Sequence, residues 1–278
     1  MSKFNICLVK PDNYIHSFAF MELGELIYHS LRELGLEATI YFNKIEPNCQ
    51  NILIGCHLLD PSWIPQLPAS TIILNTEQIS SAADWNKTVL AWAEKFEIWD
   101  YSTKNIQTFK EYGLSKVKHF KIGFQQELVR LDSSKNKDVD ILFYGAINER
   151  RKSILAQLEA KGLRVKVLFG VYARERDEWI ERSKIVLNHH FYDSQIFEIV
   201  RVFYLLTNSI AVVGEVNDTT FIDPMCSAGI YPGKYEELID QFQNLVQNDV
   251  LRQKIQLAAI ESISQYPQKI YTQEVLGR

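Results

Sequence analysis

The chain has 278 residues, of which 46% are hydrophobic, 12% aromatic and 23% charged. These fractions exclude disordered, collagen-like and disulfide-scaffold classes, and the length is sufficient for two core-forming domains. Thirty Lys and Arg residues against 34 Asp and Glu residues give a formal net charge of −4, without a long basic run. A nucleic-acid partner is therefore not expected, although a local basic patch could still hold one phosphate-bearing ligand.

The chain shows no sign of export or membrane insertion. Its first residues, MSKFNICLVK, lack the basic segment and apolar core of a secretory signal, and no stretch approaches the roughly 18 apolar residues that span a bilayer. We therefore expect no transmembrane segment and a cytoplasmic location. The four cysteines have no CxxC spacing, which favours free, mostly buried thiols; they are Cys7, Cys49, Cys56 and Cys226.

In the first half, short apolar runs alternate with amphipathic stretches. The predicted strands are 4–10, 37–43, 51–59, 70–77, 95–102 and 117–124. The predicted helices are 20–36 and 104–112. Runs that are apolar on both faces and alternate with helices are typical of a parallel sheet covered on both sides. This half is predicted to be a Rossmann-like domain.

The second half repeats this alternation after a polar stretch, LVRLDSSKNKDVD. The predicted strands are 140–146, 164–170, 184–190 and 209–215. The predicted helices are 149–161, 195–208 and two within 232–263 that separate near Asn248 and Asp249. The sequence thus predicts an α/β protein with two Rossmann-like domains that face each other across a cleft. The expected boundaries are 1–127, a linker over 128–138, and 139–278, with the last helix packing back on the first domain.

Ligands of such folds bind at the carboxyl ends of the strands, so the residues there are the candidates. The segment QIFEIVRVFYLLTNSIAVVGE, residues 195–215, is the most informative. Glu198 and Arg201 are three positions apart on one predicted helix face and can pair, while Glu215 ends the following strand. These residues form either a structural ion pair with a strand-end carboxylate, or a phosphate site made by the helix N-terminus and the planar fork of Arg201.

The order of elements in residues 139–265 resembles the donor-binding domain of GT-B fold glycosyltransferases. The resemblance rests on a strand-Gly-helix unit, VYARERDEWIERSKIVLNHH, the helix and strand just described, and GIYPGKYEELIDQFQNLV. The first half matches in architecture alone. The resemblance implies that a nucleotide sugar binds the second domain, that the acceptor binds the first, and that the chain is a small, divergent, bacterial-type member.

One departure from that family concerns its carboxylates. Many retaining members carry two glutamates eight positions apart, but here Tyr204 stands where the second would be and Leu206 follows Glu198 by eight. The sugar contacts of that pair cannot be carried over. Glu198 and Glu215 are the plausible substitutes and are expected to hold hydroxyls of the donor's ribose or sugar.

Three further strand ends supply donor-site candidates. After the first strand of the second half, a glycine turn lets the backbone approach a ligand, and arginines beside a helix N-terminus suit a pyrophosphate; ordinary turn and surface roles are the alternative. After the next strands, an aromatic residue stands where this fold often places the nucleotide base, and one histidine of an adjacent pair is expected near the donor. These candidates are Gly145, Asn148, Arg150, Arg151, Gly170, Tyr172, Asn188, His189 and His190.

The first half supplies candidates for the catalytic base. His16 precedes a helix in the loop after the first strand, and histidine can accept a proton from an acceptor hydroxyl. It could equally be a helix-start residue bonded to backbone. Asp12 and Glu77 are the competing bases, and the sequence leaves inverting and retaining mechanisms open.

No metal or resident cofactor is expected, since the nucleotide-diphosphate sugar is a co-substrate. Asp138 and Asp140 form an Asp-Val-Asp triplet, but they precede a strand, so arginines and a helix N-terminus are expected to meet the phosphate charge. The alternatives are a non-catalytic two-lobed nucleotide- or sugar-binding or regulatory protein, and a nucleotide-sugar epimerase, although the chain has no GxGxxG motif. The acceptor is open among glycans, lipid-linked sugars, peptides and small molecules.

Overall fold

The computed structural model describes residues 3–79, 86–132, 134–192 and 195–278. The chain divides into two compact units, one made of Met1–Gln125 with Pro267–Arg278 and the other of Gln126–Tyr266. The polar stretch that was expected to be a linker therefore belongs to the second unit, and the last helix belongs to the first. The acceptor and donor roles of the two units stay predictions.

Strands and helices alternate along most of the chain. The β-strands are β1 Lys3–Leu8, β2 Glu37–Phe42, β3 Gln50–Ile54, β4 Ile72–Asn75, β5 Glu97–Asp100, β6 Val117–His119, β7 Val139–Tyr144, β8 Val165–Leu168, β9 Ser183–Asn188, β10 Val212–Glu215 and β11 Ile230–Gly233. The α-helices are α1 Met21–Glu33, α2 Asn86–Ala93, α3 Thr103–Glu111, α4 Glu149–Ala160, α5 Ala173–Arg182, α6 Ile199–Thr207, α7 Pro224–Ser227, α8 Leu238–Gln247, α9 Asp249–Ile263 and α10 Gln268–Val275. Short 3₁₀ turns cover Ile15–Phe20, Cys56–Leu58, Pro61–Gln66, Gln126–Leu128 and Tyr235–Glu237.

The first unit contains a parallel sheet in the order β2-β1-β3-β4-β5-β6. Its central strands are buried on both faces, as their continuous apolar runs require, and Ile73 and Ile98 pack with Trp92 of α2. The order reverses between β1 and β3, and the carboxyl edge at such a reversal is where open α/β sheets bind ligands. Helix α10 returns to this unit and packs on α1, where the Ser30 and Thr272 hydroxyls hydrogen-bond at 2.8 Å.

The second unit contains a parallel sheet in the order β11-β10-β9-β7-β8. Phe143, Leu187 and Val213 on successive strands pack against Phe242 of α8. The reversal here lies between β7 and β9. The prediction of an α/β protein with two Rossmann-like sheets is confirmed.

Most predicted elements are present within a few residues, but the helix expected from residue 195 begins later. Gln195 has a φ of +51° and Glu198 a ψ of +59°, so the backbone becomes helical only at Ile199. Glu198 therefore stands at the N-cap of α6 rather than inside the helix. The free-thiol prediction is confirmed, with Cys49 the one partly exposed cysteine. Among the described residues, no helix combines the length and apolarity needed to cross a bilayer.

Candidate functional site

The carboxyl edge of the second sheet places a glycine turn against two guanidinium groups. Gly145, directly after β7, has a φ of +135°, a conformation that side chains with a Cβ rarely adopt. A Cβ at this position would lie 3.0 Å from Nη2 of Arg201 and 3.8 Å from Nη1 of Arg151. The backbone thus comes within van der Waals reach of both cations, and glycine makes that approach possible.

Glu198 lies between the two arginines. Its Oε1 accepts a hydrogen bond of 2.9 Å from Nη2 of Arg151, and its Oε2 lies 2.9 Å from Nη1 of Arg201. Burial alone would raise the pKa of Glu198, but the charges of Arg201 and Arg151 outweigh it and hold this pKa below its ordinary value. The predicted pairing of Glu198 with Arg201 is confirmed.

The two arginines differ in exposure and in the number of hydrogen bonds that they donate, and each has one buried nitrogen without a partner among the described residues. Arg151 is 2% exposed and also donates to the carbonyls of Ala146 and His189, at 2.9 and 2.6 Å. Arg201 contacts Glu198 outside hydrogen-bond geometry, and its Nη1 has no hydrogen-bond partner among the described residues. Its guanidinium lies over the Tyr144 ring, 5.4 Å from the centroid. Arg201 is therefore a cation paired with Glu198, and its side chain is 19% exposed.

Arg150 and Glu215 bind each other. Both terminal nitrogens of Arg150 donate to the Glu215 carboxylate, which is fully buried and also accepts from the amides of His190 at 3.1 Å and Asn217 at 3.0 Å. The guanidinium lies 3.9 Å from the centre of the Tyr235 ring, whose hydroxyl donates to the Arg150 carbonyl. The Glu215 carboxylate is closed to a ligand in this state, so its predicted donor role would require the pair to separate, whereas the Arg150 side chain is 31% exposed and its donor role stays a prediction.

Other predicted donor residues shape the same edge. Asn148 caps α4 by accepting from the Arg151 amide at 2.9 Å and donates to the Phe191 carbonyl at 3.0 Å. Gly170 has a φ of +71° after β8, and Tyr172 stands at the N-cap of α5. These positions agree with the strand ends on which they were predicted, and their contact with a donor stays a prediction.

The last residue of β9 and the two histidines after it are buried beside the arginines. Asn188 Oδ1 and both ring nitrogens of His189 lack hydrogen-bond partners among the described residues, and His189 packs edge-on to Phe143. Burial, reinforced by the Arg151 charge, lowers the pKa of His189 to about 3, and burial also lowers that of His190. Both imidazoles are neutral at pH 7.

Tyr204, which replaces the second glutamate of the family pattern, is buried and joins two charged side chains through hydrogen bonds. Its hydroxyl donates to Asp177 at 3.0 Å and accepts from Nε of Arg130 at 3.0 Å. The Asp-Val-Asp triplet likewise forms ion pairs, since Asp138 bonds Arg182 and Asp140 bonds Arg164. Among the described residues no group of three or more His, Cys, Asp or Glu side chains is arranged to hold a metal ion.

The carboxyl edge of the first sheet carries a carboxylate beside a histidine. Glu77, just after β4, has a side chain that is 19% exposed, and its Oε1 lies 3.3 Å from Nε2 of His57. Burial lowers the pKa of His57 to about 4, so the imidazole is neutral at pH 7. Sequence reasoning missed His57, although it follows β3 just as Glu77 follows β4.

The other two base candidates lie in the loop after β1. His16 is half-buried in the 3₁₀ turn, and its ring packs edge-on to Tyr14 at 5.2 Å, while Asp12 is exposed. Burial and the charge of Glu77 raise the pKa of the Tyr14 hydroxyl. The structure thus brings Glu77 together with His57, and Tyr14 together with His16.

Comparison with solved structures identifies the fold. The chain aligns over 99% of its length with 98% of T4 phage BGT in complex with its UDP-glucose substrate, at a TM-score of 0.61 and 13% identity. It aligns over 99% with all of WaaG, a glycosyltransferase involved in lipopolysaccharide biosynthesis (0.59, 9%), and over its whole length with 98% of Anabaena HepE in complex with UDP (0.58, 11%). The chain has the fold of GT-B glycosyltransferases, which confirms the resemblance at the level of fold.

Sequence comparison is less informative about activity. No family model matches the chain. Two uncharacterized proteins of Acanthamoeba polyphaga mimivirus are 29% and 26% identical over 163 and 185 residues, which are 55% and 64% of this chain. The matched regions span 21% and 59% of those relatives' lengths.

Proposed function

We propose that the protein is a glycosyltransferase that moves a sugar from a nucleotide-diphosphate donor to an acceptor hydroxyl. The observation that carries the proposal is Arg201, a partly exposed guanidinium paired with Glu198 at the strand-order reversal of a GT-B fold. Solved structures of this fold contain UDP-glucose and UDP, which makes a UDP-sugar the first donor to test.

On the donor side, Arg201 binds the diphosphate and the Gly145 turn lets phosphate oxygens approach the backbone. As the bond between the sugar's anomeric carbon and the diphosphate breaks, the departing oxygen gains charge, and a preorganised cation stabilises that charge in the transition state. Glu198 and Arg151 hold the Arg201 guanidinium at this position. The predicted contacts of Asn148, Gly170, Tyr172 and Asn188 with the rest of the donor remain part of the proposal.

On the acceptor side, we assign the general base to Glu77. Its carboxylate takes the proton from the acceptor hydroxyl while that oxygen bonds to the anomeric carbon and the diphosphate leaves. The partly exposed carboxylate and its contact with neutral His57 favour Glu77 over exposed Asp12, and His16 is assigned to the pocket lining. A base acting on the acceptor corresponds to an inverting reaction.

Donor binding is proposed to be independent of metal because Arg201 and the helix N-terminus supply positive charge. Binding of UDP should then be the same in EDTA as in Mg²⁺ or Mn²⁺. A loss of more than tenfold in EDTA would assign the diphosphate charge to a cation instead.

The test of donor binding is calorimetric titration of UDP into the wild type and Arg201→Ala. Charge-assisted phosphate contacts contribute about 1.5 to 3 kcal/mol, so the substitution should weaken binding roughly 10- to 100-fold. Arg182→Ala is the matched control. Arg182 belongs to the same unit but lies directly before β9, at the amino edge of the sheet, where it binds Asp138. Equal affinity of a folded Arg201→Ala variant and the wild type would overturn the assignment.

A further inference from the structure

Three buried polar side chains converge behind Glu77. Asn75 is the last residue of β4, Asp100 is its register partner at the end of β5, and Asn105 lies in the first turn of α3. Each is at most 1% exposed. Polar groups buried to this extent are costly unless every donor and acceptor is satisfied.

The hydrogen bonds of this group join its three members to one another and to the backbone of Glu77, Ile79 and Ser102. Asp100 accepts from Nδ2 of Asn75 at 2.7 Å, from Nδ2 of Asn105 at 3.1 Å and from the Ser102 amide at 2.7 Å. The same two amide nitrogens each donate to the Glu77 carbonyl at 2.8 Å. Asn75 Oδ1 accepts from the Glu77 amide at 3.1 Å, and Asn105 Oδ1 accepts from the Ile79 amide at 2.9 Å.

We infer that Asn75, Asp100 and Asn105 form a positioning network that fixes the main chain of Glu77 and thereby the direction of its carboxylate. The inference rests on the proposed role of Glu77. Asn75 of β4 and Asn105 of α3 hold both backbone polar groups of Glu77, and Asp100 of β5 accepts from both asparagines. His57 contacts the carboxylate from the turn after β3. Glu77 is therefore fixed at its main chain and at its carboxylate by different elements.

A purely structural explanation accounts less well for this arrangement. A short loop after a strand ordinarily satisfies its backbone with water, whereas here three buried side chains are committed to one residue and its neighbour. Burial also raises the pKa of Asp100 to about 7 against the lowering effect of its three donors, so the fold keeps an acidic side chain at a buried position that disfavours its charge. Such a position is expected where geometry matters to function.

The test is Asn105→Ala, with Asn51→Ala as the matched control. Asn51 is an equally buried asparagine of the same sheet, hydrogen-bonded to Asn5 and Glu46 near the amino end of β3. Both substitutions should lower the melting temperature. Only Asn105→Ala should lower kcat, by at least tenfold with UDP-glucose and a competent acceptor, because small misplacements of a catalytic group reduce rates by up to about 100-fold.

Two measurements tie the effect to Glu77. If Asn105 acts through it, Asn105→Ala should slow a Glu77→Gln background less than twofold, since coupled residues are non-additive. Hydrogen exchange of the Ile79 amide should accelerate at least tenfold in Asn105→Ala and stay unchanged in Asn51→Ala. Asn105→Ser, whose hydroxyl is too short to replace the amide, serves as the second variant if the alanine variant does not fold.

The outcomes separate the two claims. Equal kcat losses in the Asn105 and Asn51 variants, an additive double variant, or unchanged Ile79 exchange would overturn the positioning network. A wild type that releases no UDP when acceptors are supplied would overturn the proposed function, and the exchange measurement would still show whether the network holds the loop.

Discussion

The contact of Glu198 with two arginines makes Glu198→Gln the most informative single change in the second unit. Glutamine keeps the size of the side chain but removes the charge that neutralises Arg151 and Arg201, the first of which is almost fully buried. Removing one partner of a buried ion pair costs about 3 to 5 kcal/mol. Because Arg151 keeps two carbonyl acceptors and Glu198 is 13% exposed, we expect about 2 kcal/mol here, or a decrease in melting temperature of roughly 6 °C.

The pH dependence of this loss follows from the lowered pKa of Glu198. A carboxylate whose folded-state pKa is below its unfolded value stabilises the fold above the unfolded value, near pH 4.3, and this contribution is lost as the pH falls through the folded value. The difference in unfolding free energy between wild type and Glu198→Gln should therefore be full at pH 7 and shrink below about pH 4. Chemical denaturation across this range measures it.

Calorimetry with UDP separates the two roles of Glu198. As the partner of the arginines it acts on the donor only through the position of Arg201, so UDP affinity and the Michaelis constant for the donor should change by less than the roughly tenfold minimum expected for Arg201→Ala, and the melting temperature should fall. An unchanged melting temperature together with a tenfold loss of donor affinity would refute this reasoning and return Glu198 to the hydroxyl-binding role.

Further predictions concern the Gly145 turn after β7, the contact of Tyr235 with Arg150, and His57. Gly145→Ala should lower the free energy of unfolding by about 1 to 3 kcal/mol, because a residue with a Cβ is strained at this positive φ, and should weaken UDP binding, because the Cβ displaces Arg201. The control is Gly113→Ala, which is also at positive φ but has no atom near its Cβ, and it should leave UDP binding unchanged. Tyr235→Phe should cost about 1 kcal/mol of unfolding free energy through the lost hydroxyl bond, and a loss of UDP affinity instead would indicate that Arg150 contacts the donor. His57 has a pKa of about 4 in the folded protein, whereas its pKa in the unfolded chain is about 6.5. The free energy of unfolding should therefore fall as the pH drops from about 6.5 to 4, and His57→Gln should reduce the slope of this pH dependence by about one proton. An unaltered slope would argue against burial of the imidazole.

The sequence predicted the sheets, the strand-end candidates and the pairing of Glu198 with Arg201, because these depend on local periodicity and on a spacing of three. It did not predict that Arg150 binds Glu215, since 65 positions separate them and the fold alone brings them together. The helix start was misplaced because Ile196 and Phe197 continue the apolar pattern of the helix, yet the backbone before Ile199 is irregular. The burial that makes His57 neutral was not predicted, because a single histidine in a turn after a strand carries no periodic signal of burial.

The central claim is glycosyl transfer with Glu77 as the base, and acceptor-dependent release of UDP tests it most directly. UDP release is measured with UDP-glucose and related UDP-sugars over a panel of glycan, lipid-linked sugar, peptide and small-molecule acceptors, for the wild type and Glu77→Gln. We predict release that requires an acceptor and falls roughly 100- to 10,000-fold in Glu77→Gln at unchanged UDP affinity. Binding of UDP without acceptor-dependent release would indicate a binding protein, and a Glu77→Gln rate within threefold of the wild type would contradict the assigned base.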